Sequence, residues 1–116
     1  MKKRRLLNDR SLNPDLCRKY GEQFLAHGWW EDALEYFLKA DYQPGLEQLL
    51  AHCLEEGDAY LLGRLGNQDP EIWRQVAVQA EQLGKLHFAA KAWQEAGDQD
   101  RAAALQRRLL EETGPP

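Results

Sequence analysis

Apolar residues recur every three to four positions along most of this 116-residue chain, which is the spacing of one face of an α-helix. The clearest example lies on either side of Gly84. The period is carried by Trp73, Val76, Ala77, Ala80 and Leu83 before that glycine and by Leu86, Ala89, Ala90, Trp93 and Ala96 after it. Because only one or two residues remain for the turn, the two helices are predicted to lie antiparallel, as a helical hairpin.

The same pattern occurs around Gly28, which makes the hairpin an internal repeat. Counted from the two glycines, the matching pairs are Trp30 and Leu86, Ala33 and Ala89, Phe37 and Trp93, and Ala40 and Ala96. A shorter unit lies between the copies, with Gly57 as its predicted turn. A last helix is predicted from Gln99 to about Glu112, which brings the total to seven helices without any strand.

The duplicated pattern resembles the tetratricopeptide repeat. The first copy supplies Gly21, Phe24, Gly28, Trp30, Ala33, Phe37 and Ala40, with Cys17 in place of the opening tryptophan. The second supplies Trp73, Ala77, Gly84, Leu86, Ala89, Trp93 and Ala96, with Ala80 in place of an aromatic. The short middle unit, with its Gly-Asp turn, is similar to the repeats of coat and intraflagellar-transport proteins. The resemblance implies a right-handed α-solenoid of antiparallel hairpins that binds other proteins without catalysing a reaction.

Helix boundaries carry their own signals. Asn13 and Asp69 each precede a proline and are predicted to cap the helix that follows. Asp58 and Asp98 each follow a glycine and are predicted to cap the next helix in the same way. These boundaries predict one helical domain over residues 13–112, between an N-terminal arm at 1–12 and a C-terminal tail at 113–116.

Charge is distributed unevenly. Residues 1–10 hold five Lys or Arg and one Asp, a net charge of +4, so the rest of the chain carries −8. The arm offers a hypothesis of contact with nucleic acid or an anionic membrane, against the alternative of a solvated tail. The acidic body would be repelled by phosphate, so no nucleic-acid partner is expected. No apolar run approaches the ~20 residues that span a bilayer.

Residues that could carry catalysis or bind a metal are scattered. The chain has one serine and one threonine, both near its ends, and its three histidines are dispersed. Cys17 and Cys53 fall on apolar helix faces and are predicted to be small buried residues in a reducing, cytoplasmic compartment. We therefore predict no enzyme activity, no cofactor and no metal. A small enzyme or metal-binding protein that uses these Cys and His residues is the alternative.

A binding face is predicted on the first helix of each hairpin, opposite the buried stripes. Stacking would bring five residues into one trough for a peptide or helix of a cytosolic assembly, whose carboxylates would pair with the arginines. These residues are Arg18, Glu22, Glu47, Arg74 and Val78. Trp29 and Phe88 lie just off the apolar stripes, where they either pack against a neighbouring hairpin or contact a partner. The closing helix leaves two oligomeric states open, a self-capped monomer and a homodimer.

Overall fold

A computed structural model of the protein describes residues 13–66 and 68–113, which form seven α-helices and no strand within those ranges. The basic arm at residues 1–12 and the last three residues of the predicted tail lie outside the described residues. The helices are α1 (Pro14–Ala26), α2 (Trp30–Ala40), α3 (Gln43–Glu56), α4 (Ala59–Leu65), α5 (Pro70–Gln82), α6 (Leu86–Glu95) and α7 (Gln99–Thr113). For these described residues, the predicted all-helical class and the seven predicted helices are confirmed.

Four helices begin at the predicted caps. The Asn13 side chain accepts a hydrogen bond from the Leu16 amide at 2.8 Å, and Asp58 accepts from the Leu61 amide at 3.0 Å. Asp69 and Asp98 do the same at the starts of α5 and α7, at 2.8 and 3.1 Å. Each bond satisfies an amide that has no partner within its helix, so short polar side chains fix where these helices start.

One type of turn closes five of the helices. A residue with positive φ follows the helix, and the next amide donates to a carbonyl five residues back, as in a Schellman motif. The residues with positive φ at these turns are Gly28, Asp41, Gly57, Gly84 and Gly97. The hydrogen bonds run from Trp29 to Phe24, Tyr42 to Phe37, Asp58 to Cys53, Lys85 to Ala80 and Asp98 to Trp93, at 2.8–3.1 Å. The spacing of glycines thus sets the helix lengths.

The chain divides into two compact units, with the boundary inside α3. Unit 1 is Met1–Leu49 and unit 2 is Leu50–Pro116. The single domain predicted for residues 13–112 stays a prediction. None of the helices in residues 13–66 and 68–113 is long and apolar enough to cross a membrane.

Unit 1 is filled by aromatic side chains where α1 packs against α2. Phe24 stacks on Tyr36 with ring centroids 5.3 Å apart, and Phe37 is fully buried. A Cβ atom added at Gly21 would lie 2.5 Å from the Phe37 ring, and one added at Gly45 would lie 2.7 Å from it. Phe37 therefore occupies space that only two glycines leave open.

Unit 2 is filled by alanines and two tryptophans. Helix α5 packs against α6, α6 packs against α7, and α4 contacts both α5 and α6. Trp73 and Trp93 are buried, and the alanines of α5 and α6 close the remaining space. The fully buried alanines are Ala77, Ala80, Ala89 and Ala92. Small residues at these positions allow the helix axes to approach closely.

Burial follows the predicted stripes at the centres of the helices and is only partial at their ends, at Trp30, Ala40, Leu86 and Ala96. Cys17, Phe24, Phe37, Trp73 and Trp93 are buried as predicted. The helical period from Cys17 to Phe24 also predicts a buried Tyr20, but this residue is only half-buried, because its ring lies at the edge of the aromatic cluster, 5.6 Å from that of Tyr36. Leu83 was placed on the apolar stripe and is 46% exposed, because α5 ends at Gln82 and the helical period stops one residue too early.

Candidate protein-binding groove on helix α5

Helix α5 presents a continuous stripe of residues on the side away from its buried tryptophan. These residues recur at i, i+3, i+4, i+7 and i+8, which places them on one face over about two turns. They are Glu71, Arg74, Gln75, Val78 and Gln79, and all of them line one groove of about 440 Å³. Arg74 and Val78, two of the residues predicted to bind a partner, are thereby brought together.

Two further side chains complete the groove. Leu54, near the end of α3, and Trp93, on α6, line it together with the α5 stripe. Val78 is 43% exposed although it is a β-branched apolar residue, so its methyl groups face solvent in the middle of the groove. Val78 and the half-buried Leu54 provide apolar surface that a partner side chain could cover, whereas Trp93 is only 3% exposed and adds little to it.

The groove is held in place by polar contacts. The Trp93 indole nitrogen donates to Glu81 Oε2 at 2.8 Å, and the Arg101 guanidinium lies over the Trp93 ring at 4.6 Å. Gln79 Nε2 donates to the backbone carbonyl of Glu55 at 2.8 Å. These contacts join α5 to α6, α7 and the end of α3. These contacts therefore hold together the helices that line the groove.

Arg74 stands at one end of the groove and is already paired within its own helix. Its Nη2 and Nε lie 2.8 and 2.9 Å from Glu71 Oε2, and both side chains are about half exposed. An exposed pair of this kind contributes little stability, but it offsets the charge that Arg74 would offer to a partner.

A second cavity of about 380 Å³ shares one lining residue with the groove, Arg74. The other lining residues come from the connection between α6 and α7 and the first turn of α7. They are Ala96, Gly97, Asp98, Gln99 and Asp100. Asp98 pairs with Arg101 Nε at 3.3 Å, whereas Asp100 makes no ion pair with any described residue. The negative charge of this second cavity that is not paired thus lies at Asp100.

The predicted trough residues of unit 1 lie on α1 and α3. Glu22 and Glu47 are exposed. Arg18 is half-buried, with its guanidinium 5.7 Å from the centre of the Tyr42 ring. Its Nε is buried and has no hydrogen-bond partner among the described residues. The packing of Arg18 ties it to its own unit, and the trough that would join all five residues stays a prediction.

Trp29 and Phe88, the two aromatics predicted to lie off the buried stripes, each contact another aromatic ring. Trp29 is 48% exposed and stacks on Phe24 at 5.4 Å. Phe88 is half-buried and packs edge-on against Tyr60, which is on α4, at 5.2 Å. Packing within the unit thus explains one face of each ring. The role predicted for their exposed faces, contact with a partner, stays a prediction.

The two cysteines are free and buried. Burial raises the pKa of the Cys53 thiol to about 12, and the neighbouring Asp58 carboxylate adds to the shift. The thiol therefore stays protonated at neutral pH, and the thiolate that nucleophilic catalysis needs does not form there. Within residues 13–66 and 68–113, no three His, Cys, Asp or Glu side chains are grouped as a metal site requires.

Comparisons with protein-family models, with curated proteins and with solved structures gave no match for this chain. The resemblance to tetratricopeptide repeats therefore rests on the spacing of residues in the sequence alone. The sequence prediction missed Leu54 and Trp93 as groove residues. Leu54 lies seven residues after Glu47 on the same helix, so helical periodicity would have placed it on the predicted binding face.

Proposed function

We propose that this chain is a non-catalytic interaction module that binds a segment of another protein in the groove along α5. The observation that carries the proposal is the exposed Val78, which lines one groove together with the half-buried Leu54 and the polar residues of the α5 stripe. A surface that combines apolar residues with a few polar groups on a rigid helix suits the docking of a helix or peptide.

The proposed architecture is a short right-handed stack of antiparallel hairpins that resembles tetratricopeptide repeats. Two observations support it. Consecutive helices α1 and α2, and α5 and α6, pack against each other, and α7 packs on α6. The same positive-φ turn recurs at Gly28, Gly57 and Gly84, the predicted turns of the three hairpins. In such a stack the first helix of each hairpin lines the binding face, and α5 is the first helix of the third hairpin.

The test is affinity capture from cells of the native host, with wild type compared with Val78→Lys. A lysine at this position places a charge in the centre of the groove, and Val78 is exposed enough for the variant to fold. Leu110→Lys is the matched control, since Leu110 is 70% exposed on α7 and lies outside the groove. We expect one or more proteins to be retained by wild type and Leu110→Lys and lost from Val78→Lys.

Identical captured proteins from all three baits would contradict the groove as the binding site. Circular dichroism and thermal unfolding of each bait establish that a loss of binding is not a loss of folding. A stoichiometric metal ion in protein purified without a tag would contradict the non-catalytic assignment and favour the alternative based on Cys and His residues.

A further inference from the structure

We infer that the partner segment is an amphipathic helix that carries a basic side chain one turn away from a large apolar side chain. This inference rests on the proposed function and specifies the chemistry of the ligand in the same groove. The apolar side chain covers Val78, and the lysine or arginine extends past Arg74 towards Asp100.

The geometry of the two adjoining cavities supports this arrangement. The apolar groove and the acidic cavity share one lining residue, Arg74, so they lie on the two sides of the same side chain. Side chains three or four residues apart on a helix lie about 5–6 Å from each other at Cβ, so one helical ligand reaches both cavities with two side chains. The stripe on α5 is about two turns long, which matches a ligand helix of two to three turns.

The charges that line the two cavities decide whether the ligand is basic or acidic. The two cavities are lined by three carboxylates, Glu71, Asp98 and Asp100, against the single guanidinium of Arg74, a net charge of −2. Arg74 is neutralised locally by Glu71 and Asp98 by Arg101, whereas Asp100 has no ion-pair partner among the described residues. The acidic character of residues 11–116 adds a longer-range attraction for a basic segment.

The opposite chemistry, a ligand whose carboxylate pairs with Arg74, has to compete with Glu71. That carboxylate already contacts two guanidinium nitrogens at 2.8 and 2.9 Å. An acidic ligand would also approach Asp98 and Asp100, and like charges that meet at an interface disfavour the wrong partner. The structure therefore favours a basic ligand, and the acidic ligand becomes an outcome of the test.

The experiment uses two capped peptides of about 15 residues in an alanine–glutamine background, the length at which isolated helices become marginally stable. One carries leucines with lysine one turn away, and the other has glutamate at each lysine position. Binding to the full chain is measured by fluorescence anisotropy at low and at physiological salt. We expect the lysine peptide to bind wild type at least tenfold more tightly than the glutamate peptide, and its affinity to fall as salt is added.

Three variants test the two contacts. Val78→Lys is expected to lower the affinity for the lysine peptide at least tenfold. Asp100→Lys is expected to lower it about three- to fivefold, as for the loss of an exposed ion pair. Asp100→Lys should also reduce the salt dependence. Glu111→Lys, on the same helix α7 and outside both cavities, is the control for net charge and is expected to change the affinity less than Asp100→Lys.

The inference is overturned if the glutamate peptide binds as tightly as the lysine peptide, or if Asp100→Lys and Glu111→Lys weaken binding equally. These results differ from a failure of the proposed function. If a host protein is lost from Val78→Lys but its binding segment is acidic, the groove stands as a docking site and only the chemistry of the ligand is wrong. If Val78→Lys changes neither host capture nor peptide affinity, both proposals fail.

Discussion

The helix pairs that turn at Gly28 and at Gly84 fill equivalent positions with different side chains. Counted from the turn glycines, Gly21 corresponds to Ala77 and Phe37 to Trp93. In the first pair the Phe37 ring lies so close to Gly21 that no Cβ atom fits there. In the second pair Ala77 has a Cβ and is fully buried. The two copies therefore keep a small buried residue at one position and a large buried residue at the other, rather than the same residues.

A second difference between the two helix pairs, at Phe24 and its equivalent, is explained by packing nearby. Phe24 corresponds to Ala80, so the second copy has a methyl group where the first has an aromatic ring. A Cβ atom built on Gly57 would lie 2.7 Å from the Ala80 backbone, so the turn between α3 and α4 packs directly against this part of α5. An aromatic residue at position 80 would have to displace that turn. The departure from the repeat pattern is thus a consequence of packing within unit 2.

The residue after the turn also changes its role between the copies. Trp29 stacks on Phe24, whereas the corresponding Lys85 donates from Nζ to the Glu56 carbonyl at 2.7 Å and lies 3.4 Å from the Glu56 carboxylate. A lysine at the end of α3 satisfies a carbonyl that has no partner within its helix and complements the helix dipole. The residue after the turn therefore makes an aromatic stack in the first helix pair and an ion pair and a hydrogen bond to Glu56 in the second.

Removing the large side chain from either pair should have the largest effect. Phe37→Ala and Trp93→Ala are each expected to lower the free energy of unfolding by about 3–5 kcal/mol, because each leaves a cavity in a buried site. Urea denaturation followed by circular dichroism measures both values. Trp93→Phe is the control that keeps most of the volume and loses the hydrogen bond to Glu81, at a cost of about 1 kcal/mol. A loss below about 1 kcal/mol for either alanine variant would contradict the assigned core.

The contact between Gly57 and Ala80 predicts unequal effects at two glycines with similar backbone angles. Gly57→Ala should cost about 3 kcal/mol, since a positive φ costs about 1–2 kcal/mol and overpacking adds to it. Gly84→Ala should cost only about 1–2 kcal/mol, because no atom lies within 4 Å of the added Cβ. Denaturant unfolding of both variants measures the difference. Equal losses would show that backbone strain alone explains the Gly57 position.

The sequence predicts the parts of this fold that depend on local chemistry. Periodicity located the helices, and the four predicted caps fixed where α1, α4, α5 and α7 begin. Contacts between residues that are far apart in the sequence could not be predicted from these local patterns. The packing of Gly57 against Ala80 depends on a turn 23 residues away, and the apolar wall at Trp93 depends on how α6 lies against α5. Arg74 and Val78 could be placed on one helical face from the sequence, whereas Leu54 and Trp93 come from other helices, and the binding role of these residues stays a prediction.

Alkaline conditions should distinguish the buried Cys53 from a thiol in the unfolded chain. The pKa of Cys53 is raised from 9.0 to about 12, so above pH 9 the unfolded chain loses the thiol proton while the folded protein keeps it. Stability from this group is fully present below pH 9 and is lost between pH 9 and about 12. At pH 10.5 the loss should be about 2 kcal/mol.

The Cys53→Val variant removes this titration while it keeps the volume of the side chain roughly constant. Wild type and variant are compared by urea unfolding at pH 8 and pH 10.5, with a reducing agent present. Because lysines and tyrosines titrate in both proteins, the informative quantity is the difference between the two pH-dependent losses. If wild type and Cys53→Val lose the same stability on going to pH 10.5, burial does not protect the thiol proton.

The smallest effect is expected where the two pairs end. Asp41 and Gly97 are equivalent positions and both have positive φ, 50° and 87° respectively. An aspartate in this conformation costs about 1–2 kcal/mol, which is partly offset because glycine would give the unfolded chain more freedom. Asp41→Gly should therefore raise the free energy of unfolding by about 0.5 kcal/mol. The change also removes the hydrogen bond from Gln43 Nε2 to Asp41 Oδ1, an exposed contact at 3.2 Å whose loss costs little.

The reciprocal variant Gly97→Asp should lower the free energy of unfolding by about 1 kcal/mol at the end of α6. Thermal and urea unfolding of the two variants measure both signs, and a destabilised Asp41→Gly would show that the aspartate side chain contributes more to its turn than its backbone angle costs.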